Sequence, residues 1–448
     1  MTARRFTRVL VCVLALVTLA GTVRAAQRPN VVLIMLDDFG YECVGANGGT
    51  SYATPNFDRL AAGGARGEHC HVQPLCTPTR AQLMTGKYNV RNYIHFGELE
   101  KSQTTFGHLF QKAGYRTAIV GKWQLGRDMK LPAHFGFDQY CLWQLDRRPS
   151  RYANPGLEID GEHVDYSDGE YGPKVVNDYA CKFIAEHKDE PFFLYYPMIL
   201  THSPYPPTPD NDDYNPKATS EGQGRKPEHF GDMVTYADKL IGRVVDALEK
   251  QGLREQTLLV VIGDNGTGRG VRSKMGDRVV IGGKGGKTYT GTHVPLVASW
   301  PGVIPAGLVL DDLVDSTDFL PTICQAAGIE PPSDLVLDGH SLLPQLKGDK
   351  GTPREWIYCW YAREGGPKPQ FEFAMNQKYK LYRGGELFDL LRDPDEKQPL
   401  AADALSAEAV AAQELLAGAL AQYRDARPAE ISAQAGPSAY RRARKANK

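Results

Sequence analysis

The sequence predicts an α/β fold: a large, mainly parallel sheet flanked by helices, with a small C-terminal α+β subdomain. Three observations point to it. Several apolar runs are continuous rather than alternating, as strands buried on both faces require. Segments of helical spacing lie between these runs, and strand–helix alternation is the mark of a parallel sheet. After about residue 350 the pattern changes to short strands around turns, followed by one helix rich in Ala and Leu.

Taken in order, the clearest strand covers residues 31–36 and stops at Asp37-Asp38. Residues 117–120 run into Gly121-Lys122, and residues 192–200 run into Thr201-His202. Residues 258–262 stop at Gly263-Asp264-Asn265-Gly266, and residues 296–298 form a further strand. Phe106, Leu109, Phe110 and Ala113 recur at helical spacing, with Gly114 placed as a C-cap. Met233, Ala237, Leu240, Ile241, Val244, Val245 and Leu248 do the same. Residues 204–227, rich in Pro, Asp, Asn and Gly, read as a long surface loop that could rim a site. Gly266, Gly268, Gly270, Gly282, Gly283, Gly285 and Gly286 predict a mobile or tightly turning segment. Beyond it, residues 379–382 and 386–390 read as strands and 404–423 as a helix.

Composition narrows the class of partner. The 448 residues are 42% hydrophobic and 23% charged, as in ordinary globular domains, and the length suits one large domain with a smaller one. Formal charge is -1 with no basic stripe, which argues against nucleic acid. The one dense basic run, Arg441, Arg442, Arg444, Lys445 and Lys448, reads as a solvated tail. Arg4, Arg5 and Arg8 precede an apolar run over residues 9–20 and a Val23-Arg24-Ala25 cleavage pattern. That is a secretory signal peptide, and the run falls short of the roughly 20 residues a bilayer span needs. An uncleaved anchor is the other reading. The expected division is a signal peptide over 1–25, a main domain over 28–350, a C-terminal subdomain over 351–430 and a basic tail over 431–448. The mature chain is expected to be exported, with no membrane span. Of eight cysteines Cys12 leaves with the signal; the odd remainder leaves at least one thiol unpaired or modified.

Ligands of such sheets bind beyond the carboxyl ends of the strands, where four polar clusters fall. Asp37, Asp38, Asp264 and Asn265 form the first constellation. Paired carboxylates repel, and burying them without a cation is costly. All-oxygen ligands suit a hard cation, Ca²⁺ or Mg²⁺; the plain alternative is a pair of helix caps. Cys76-Thr77-Pro78-Thr79-Arg80 places a cysteine just before a helix, where the positive helix end would lower a thiol pKa. A buried structural cysteine or a disulfide partner is the competing reading. His69-Cys70-His71 matches no standard zinc spacing.

The stretch Cys76-Thr77-Pro78-Thr79-Arg80, with Thr85-Gly86-Lys87 behind it, resembles the signature of the type I, formylglycine-dependent sulfatases. Gly121-Lys122-Trp123-Gln124-Leu125-Gly126 resembles their second signature, and the likeness runs from Arg28-Pro29-Asn30 to Leu387-Phe388-Asp389-Leu390. The family lies in the alkaline phosphatase superfamily, so the resemblance implies an alkaline-phosphatase-like sheet. It further implies that a formylglycine-generating maturation enzyme reads Cys76, Pro78 and Arg80 and oxidises Cys76 to formylglycine. The hydrated aldehyde would attack sulfur, displace the alcohol and then expel sulfate, splitting one hard step into two. Asp37, Asp38, Asp264, Asn265 and the residue-76 oxygen would bind the metal, Ca²⁺ before Mg²⁺. Arg80 would steady the diol, Lys122 and Lys284 would bind sulfate, and His202 would protonate the leaving oxygen. Lys284 is chosen over Lys287 by counting back from Pro295 without a gap; surface lysines and a solvated loop histidine are the alternatives.

Two positions depart from the pattern. Thr79 stands where Ser is commoner, with its hydroxyl kept. Gln124 stands where the second signature usually has His, and an amide cannot be a general base. His71 and His293 are the candidate replacements. The implied activity is hydrolysis of sulfate monoesters on a sulfated carbohydrate or an aryl sulfate, the substrate being a sulfated small molecule or glycan. Trp143, Trp360 and Tyr361 read either as sugar-stacking surfaces or as core. A phosphoester or phosphonate hydrolase of the same superfamily, and a non-catalytic binder of sulfated glycans, are the alternatives.

Overall fold

The computed structural model describes residues 28–217 and 227–436. The segment read as a signal peptide, residues 1–25, and residues 437–448 of the expected basic tail lie outside the described residues. In chain order the strands are β1 (Asn30–Leu36), β2 (Ala65–His71), β3 (Arg116–Lys122), β4 (Gln139–Trp143), β5 (Gly156–Ile159), β6 (Glu162–Asp165), β7 (Phe192–Pro197) and β8 (Thr257–Gly263). They continue with β9 (Arg272–Met275), β10 (Arg278–Ile281), β11 (Leu296–Ser299), β12 (Leu308–Asp315), β13 (Ile357–Tyr361), β14 (Phe371–Met375), β15 (Tyr379–Tyr382) and β16 (Leu387–Asp389).

Ten of them form one sheet in the order β12-β2-β11-β8-β1-β7-β3-β4-β5-β6. The middle run from β8 through β1, β7 and β3 to β4 is parallel throughout. The alternation along β1 shows why its apolar run is unbroken. Val31, Leu33 and Met35 enter one core with the helices Cys76–Thr85, Phe106–Lys112 and Phe319–Ala326. Val32, Ile34 and Leu36 enter the other with Pro55–Ala62, Gly172–Glu186 and Phe230–Lys250. Each face is therefore covered by helices, and strand ends are the places left for polar residues.

The strand predicted over 296–298 is present as β11, but it runs antiparallel to both neighbours, β8 and β2. The strand expected over 192–200 ends at Pro197. The C-terminal region is a four-stranded antiparallel sheet, β13-β14-β15-β16, with the helix Ala407–Gln422 on one face. Its other face packs on Leu75 and Leu313 of the main domain. The seven described cysteines are free thiols. No helix among the described residues is long and apolar enough to cross a membrane.

A buried acid joins the helix that carries Cys76 to the end of β12. Gln82 Nε2 donates to Asp315 Oδ1 at 2.7 Å, and Thr317 N and Oγ1 donate to the same oxygen at 2.9 and 2.8 Å. Burial pushes Asp315 up to about 7; Arg354 opposes this, and the neighbouring charge of Asp318 adds to it. The folded state thus keeps a proton that an unfolded Asp releases near pH 3.9. The stabilisation is full below that pH and is lost as pH rises toward 7. Asp315→Asn keeps the Oδ1 acceptor without the charge. Its thermal midpoint is expected to match the parent's near pH 4 and exceed it at about pH 8. Parallel midpoint-against-pH curves for the two proteins would refute this.

Candidate active site

The register of β1 against β8 pairs Leu36 with Gly263, so Asp37-Asp38 and Asp264-Asn265 emerge side by side. All four are buried. Asp38 N donates to Asp264 Oδ1 at 3.0 Å, and Asn265 Nδ2 donates to Asp38 Oδ1 at 2.9 Å. Asp38 itself has φ +61, a left-handed conformation that costs a non-glycine residue free energy and is characteristic of functional sites.

Three cations meet these acids. Lys122, the last residue of β3, places Nζ 2.6 Å from Asp37 Oδ2. Gly121 before it has φ +129, and a Cβ there would lie 1.9 Å from Pro197 O, so only glycine lets β3 deliver the lysine so close to β7. Lys284, in the loop after the β9–β10 hairpin, places Nζ 2.6 Å from Asp38 Oδ2. Arg80 donates from Nη2 to Asp264 Oδ2 at 3.2 Å and from Nη1 to Lys122 O at 2.8 Å. Burial alone would raise Asp37, but Lys122, His202, Lys284 and Arg80 together hold it well below the usual carboxylate range. Burial and the Asp37 charge push Asp264 up, against Arg80 and Lys122.

Cys76 opens the helix Cys76–Thr85, one residue earlier than the expected start, and all ten helical residues are buried. Its Sγ donates to Gln124 Oε1 at 2.7 Å. Burial raises the thiol pKa, against Lys122, so desolvation outweighs the lowering expected from the helix end. Gln124 follows β3 with φ +57. Thr79 Oγ1 accepts from Gln73 N at 3.1 Å and donates to Gln73 O at 3.2 Å, so the hydroxyl common to Ser and Thr is the part in use.

His202 follows β7, with Nε2 3.9 Å from Asp38 Oδ2. Burial, with Lys284 and Lys122, brings it down to about 3 against the pull of Asp38 and Asp37. Its Nδ1 lies 2.8 Å from Arg151 Nη1 and 2.5 Å from Ser203 O. Arginine only donates and a carbonyl only accepts. A ring with its only proton on Nε2 serves Arg151; a ring with a proton on Nδ1 serves Ser203.

Arg151 escaped the sequence reading. It is buried over the ring of Trp143, 4.2 Å from the centroid, beside two further arginines in an irregular loop that gives no pattern. Trp143, Trp360 and Tyr361 are all buried, so these aromatics are core rather than exposed stacking surfaces. His71 and His293 stack on each other at 4.9 Å. Their ring nitrogens meet Thr292 Oγ1 and Glu68 O, and the hydrogen bond to Cys76 is made by Gln124 instead.

The donor set fits a hard divalent cation. Asp37 Oδ1 and Asn265 Oδ1 are buried and accept no hydrogen bond from a described residue, although such atoms are normally paired. The ligand atoms of Asp37, Cys76 and Asp264 lie within 4.8 Å of one another, as do those of Asp37, Asp38 and His202. Oxygen donors of Asp37, Asp38, Asp264 and Asn265 suit an ion of the Ca²⁺ or Mg²⁺ type.

A family model described as Sulfatase matches residues 29–329. The chain belongs to the sulfatase family. A second model, described as N-sulphoglucosamine sulphohydrolase, C-terminal, matches residues 289–424 of this sulfatase. Arylsulfatase A of Homo sapiens is 32% identical over 418 residues, 85% of this chain and 80% of its own. N-acetylgalactosamine-6-sulfatase of Canis lupus familiaris is 31% identical over 373 residues, 75% of this chain and 70% of its own. A solved structure in complex with its substrate D-glucosamine-2-N,6-O-disulfate superposes with TM-score 0.74 at 23% identity, over 89% of this chain and 99% of that one. The fold is that of the alkaline phosphatase superfamily, and the sulfatase is a sulfuric ester hydrolase acting on sulfate monoesters.

Adding a divalent cation to chelator-treated sulfatase is expected to raise its thermal midpoint, with about 2.7 kcal/mol of stabilisation at 100 times Kd. Asn265→Ala, which removes one orphaned oxygen, is expected to weaken the shift at the same ion concentration. An equal shift in both proteins would remove Asn265 from the ligand set.

Proposed function

We propose that this sulfatase is exported, acts on a sulfated carbohydrate, and carries formylglycine at position 76, made by a separate maturation enzyme. We assign its cation as Ca²⁺, held by Asp37, Asp38, Asp264, Asn265 and the oxygen of residue 76. The observation that carries the reading is the cluster of Asp37, Asp38, Asp264 and Asn265, two orphaned buried oxygens among them, met by Lys122, Lys284, Arg80 and His202, with Cys76 beside Asp37 and Asp264. A carbohydrate substrate is supported by the names of N-acetylgalactosamine-6-sulfatase and of the glucosamine disulfate complex. Export is supported by the signal-peptide pattern over residues 1–25.

Hydrated formylglycine beside a divalent cation supplies an acidified hydroxyl nucleophile and a positive anchor for sulfate. The remaining work belongs to the side chains. Lys122 and Lys284 flank the acids from opposite partners, Asp37 and Asp38, and bind two sulfate oxygens. Arg80, fixed by Lys122 O and Asp264, orients residue 76. His202 presents Nε2 on the Asp38 side; it takes up a proton when the anionic sulfate ester sits beside it and delivers that proton to the leaving alcohol oxygen. Gln124 orients the residue-76 oxygen through Oε1 but takes no proton.

Mass spectrometry of the Cys76 peptide from protein made with the maturation enzyme is expected to show a loss of about 18 Da, whereas thiol oxidation adds mass. An unmodified thiol in fully active protein would sink the mechanism. Gln124→His introduces a group that titrates near pH 6.5. The variant's kcat is expected to gain an ascending pH limb around that value which the parent lacks; superimposable pH profiles would show that residue 124 takes no part in proton transfer.

A further inference from the structure

The loop that carries Lys284 is held mainly through its backbone. Gly282, Gly283, Gly285 and Gly286 flank the lysine and bring no side chains of their own, while Arg269 Nε donates to Lys284 O at 2.7 Å. Backbone contacts tie its near end: Lys284 N donates to Thr267 O at 3.1 Å, and Gly285 N donates to Pro74 O at 2.7 Å. The far end is held from another part of the chain.

Lys380 of β15 and Glu396, which follows β16, form an ion pair of 2.9 Å whose side chains are 0% and 1% exposed. The same two groups grip the backbone just past the glycines. Lys380 Nζ donates to Lys287 O at 2.5 Å, and Tyr382 OH lies 3.0 Å from that oxygen. Tyr289 N donates to Glu396 Oε1 at 2.7 Å, and Tyr382 also hydrogen-bonds Glu396. Glu396 reaches this position with φ +54, a left-handed conformation unusual for glutamate. Burying such a pair is expensive, and a well-packed apolar pair often stabilises a fold as much. An apolar pair could not donate to the Lys287 carbonyl and accept from the Tyr289 amide. The charged pair therefore does something for the loop that packing alone would not.

We propose that the Lys380–Glu396 pair is a latch through which the C-terminal sheet fixes the position of Lys284, making both positioning residues for sulfate binding. The proposal rests on the reading of Lys284 as a sulfate-binding group. The pair clamps residues 287–289, three to five positions beyond the lysine, while Thr267 O and Pro74 O clamp residues 284–285. Residue 74 lies two positions before Cys76, so the latched loop also stays in register with the nucleophile's helix.

The test uses full-length matured enzyme with Lys380→Met, Lys380→Met/Glu396→Leu and Lys284→Ala. It measures kcat and KM on an aryl sulfate, inhibition by inorganic sulfate, and native tryptic cleavage after Lys284 and Lys287 followed by mass spectrometry. In both latch variants KM and the sulfate inhibition constant are expected to rise about tenfold with a smaller change in kcat. Cleavage after Lys287 is expected to accelerate selectively. The double variant replaces the pair with apolar groups, so its thermal midpoint is expected to recover while the sulfate defect persists. Unchanged sulfate inhibition in a folded latch variant would overturn the proposal, as would acceleration of cleavage at sites throughout the chain. If Lys284→Ala leaves sulfate inhibition unchanged, it is the assignment of Lys284 that fails, and selective cleavage after Lys287 would still report the latch on its loop.

Discussion

Asp37, Asp38 and Asp264 are carried to one place by the pairing of β1 with β8, and they are buried there together. Like charges in a medium of low polarity repel strongly, so the arrangement requires positive partners supplied from elsewhere in the chain. Each carboxylate has its own: Lys122 from the end of β3, Lys284 from a loop, Arg80 from a helix. The arrangement depends on register. A slip of one residue between β1 and β8 would turn Asp37 to the opposite face of the sheet and separate it from Asp264. Helices covering both faces hold that register, and the parallel order places the β3 and β7 ends on the same rim.

The same burial decides what Cys76 can do. A thiol raised by desolvation stays protonated, and a protonated thiol is a poor nucleophile. Left unmodified, it would be idle beside Asp37 and Asp264. A hydrated aldehyde at this position, as proposed, would escape the difficulty, because a neighbouring cation would activate its hydroxyl without any need for a free thiolate. The amide of Gln124 suits this division of labour: it fixes an oxygen's direction and leaves proton movement to groups able to change charge.

Much of this was legible in the chain before folding was considered, because strand termini mark themselves. Continuous apolar runs ending in Asp37-Asp38, Lys122, His202 and Asp264-Asn265 set both the sheet and the rim. Other features depend on packing that sequence does not record. The direction of β11 is one. Between β8 and β11 the longest helix is the four-residue Tyr289–Thr292, too short for a crossover, so the chain returns antiparallel. A three-residue apolar run gives no hint of that. Arg151 is another: its role comes from lying over Trp143 and meeting His202, and in sequence it is one more arginine in a loop. Trp143 was ambiguous for the same reason, since an aromatic at a strand end serves a core as readily as a ligand.

The glycines between residues 266 and 286 show why composition alone misleads about motion. They suggested a mobile or tightly turning segment, and the structure favours the second. A Cβ at Gly282 would lie 2.2 Å from Gly268 O, and one at Gly283 would lie 2.5 Å from the Thr290 carbonyl carbon. Glycine is needed there because backbones approach closely, and that approach brings Lys284 within reach of Asp38. The cost is conformational entropy, since glycine loses more freedom on folding than any other residue. Something rigid has to hold such a segment at its ends. Thr267 and Pro74 do so on one side, and the C-terminal sheet does so on the other through Lys380, Tyr382 and Glu396. The small subdomain thereby acts as a wall of the site rather than an appendage: Leu75, next to Cys76, is in its apolar core, with Tyr289 packed against that core.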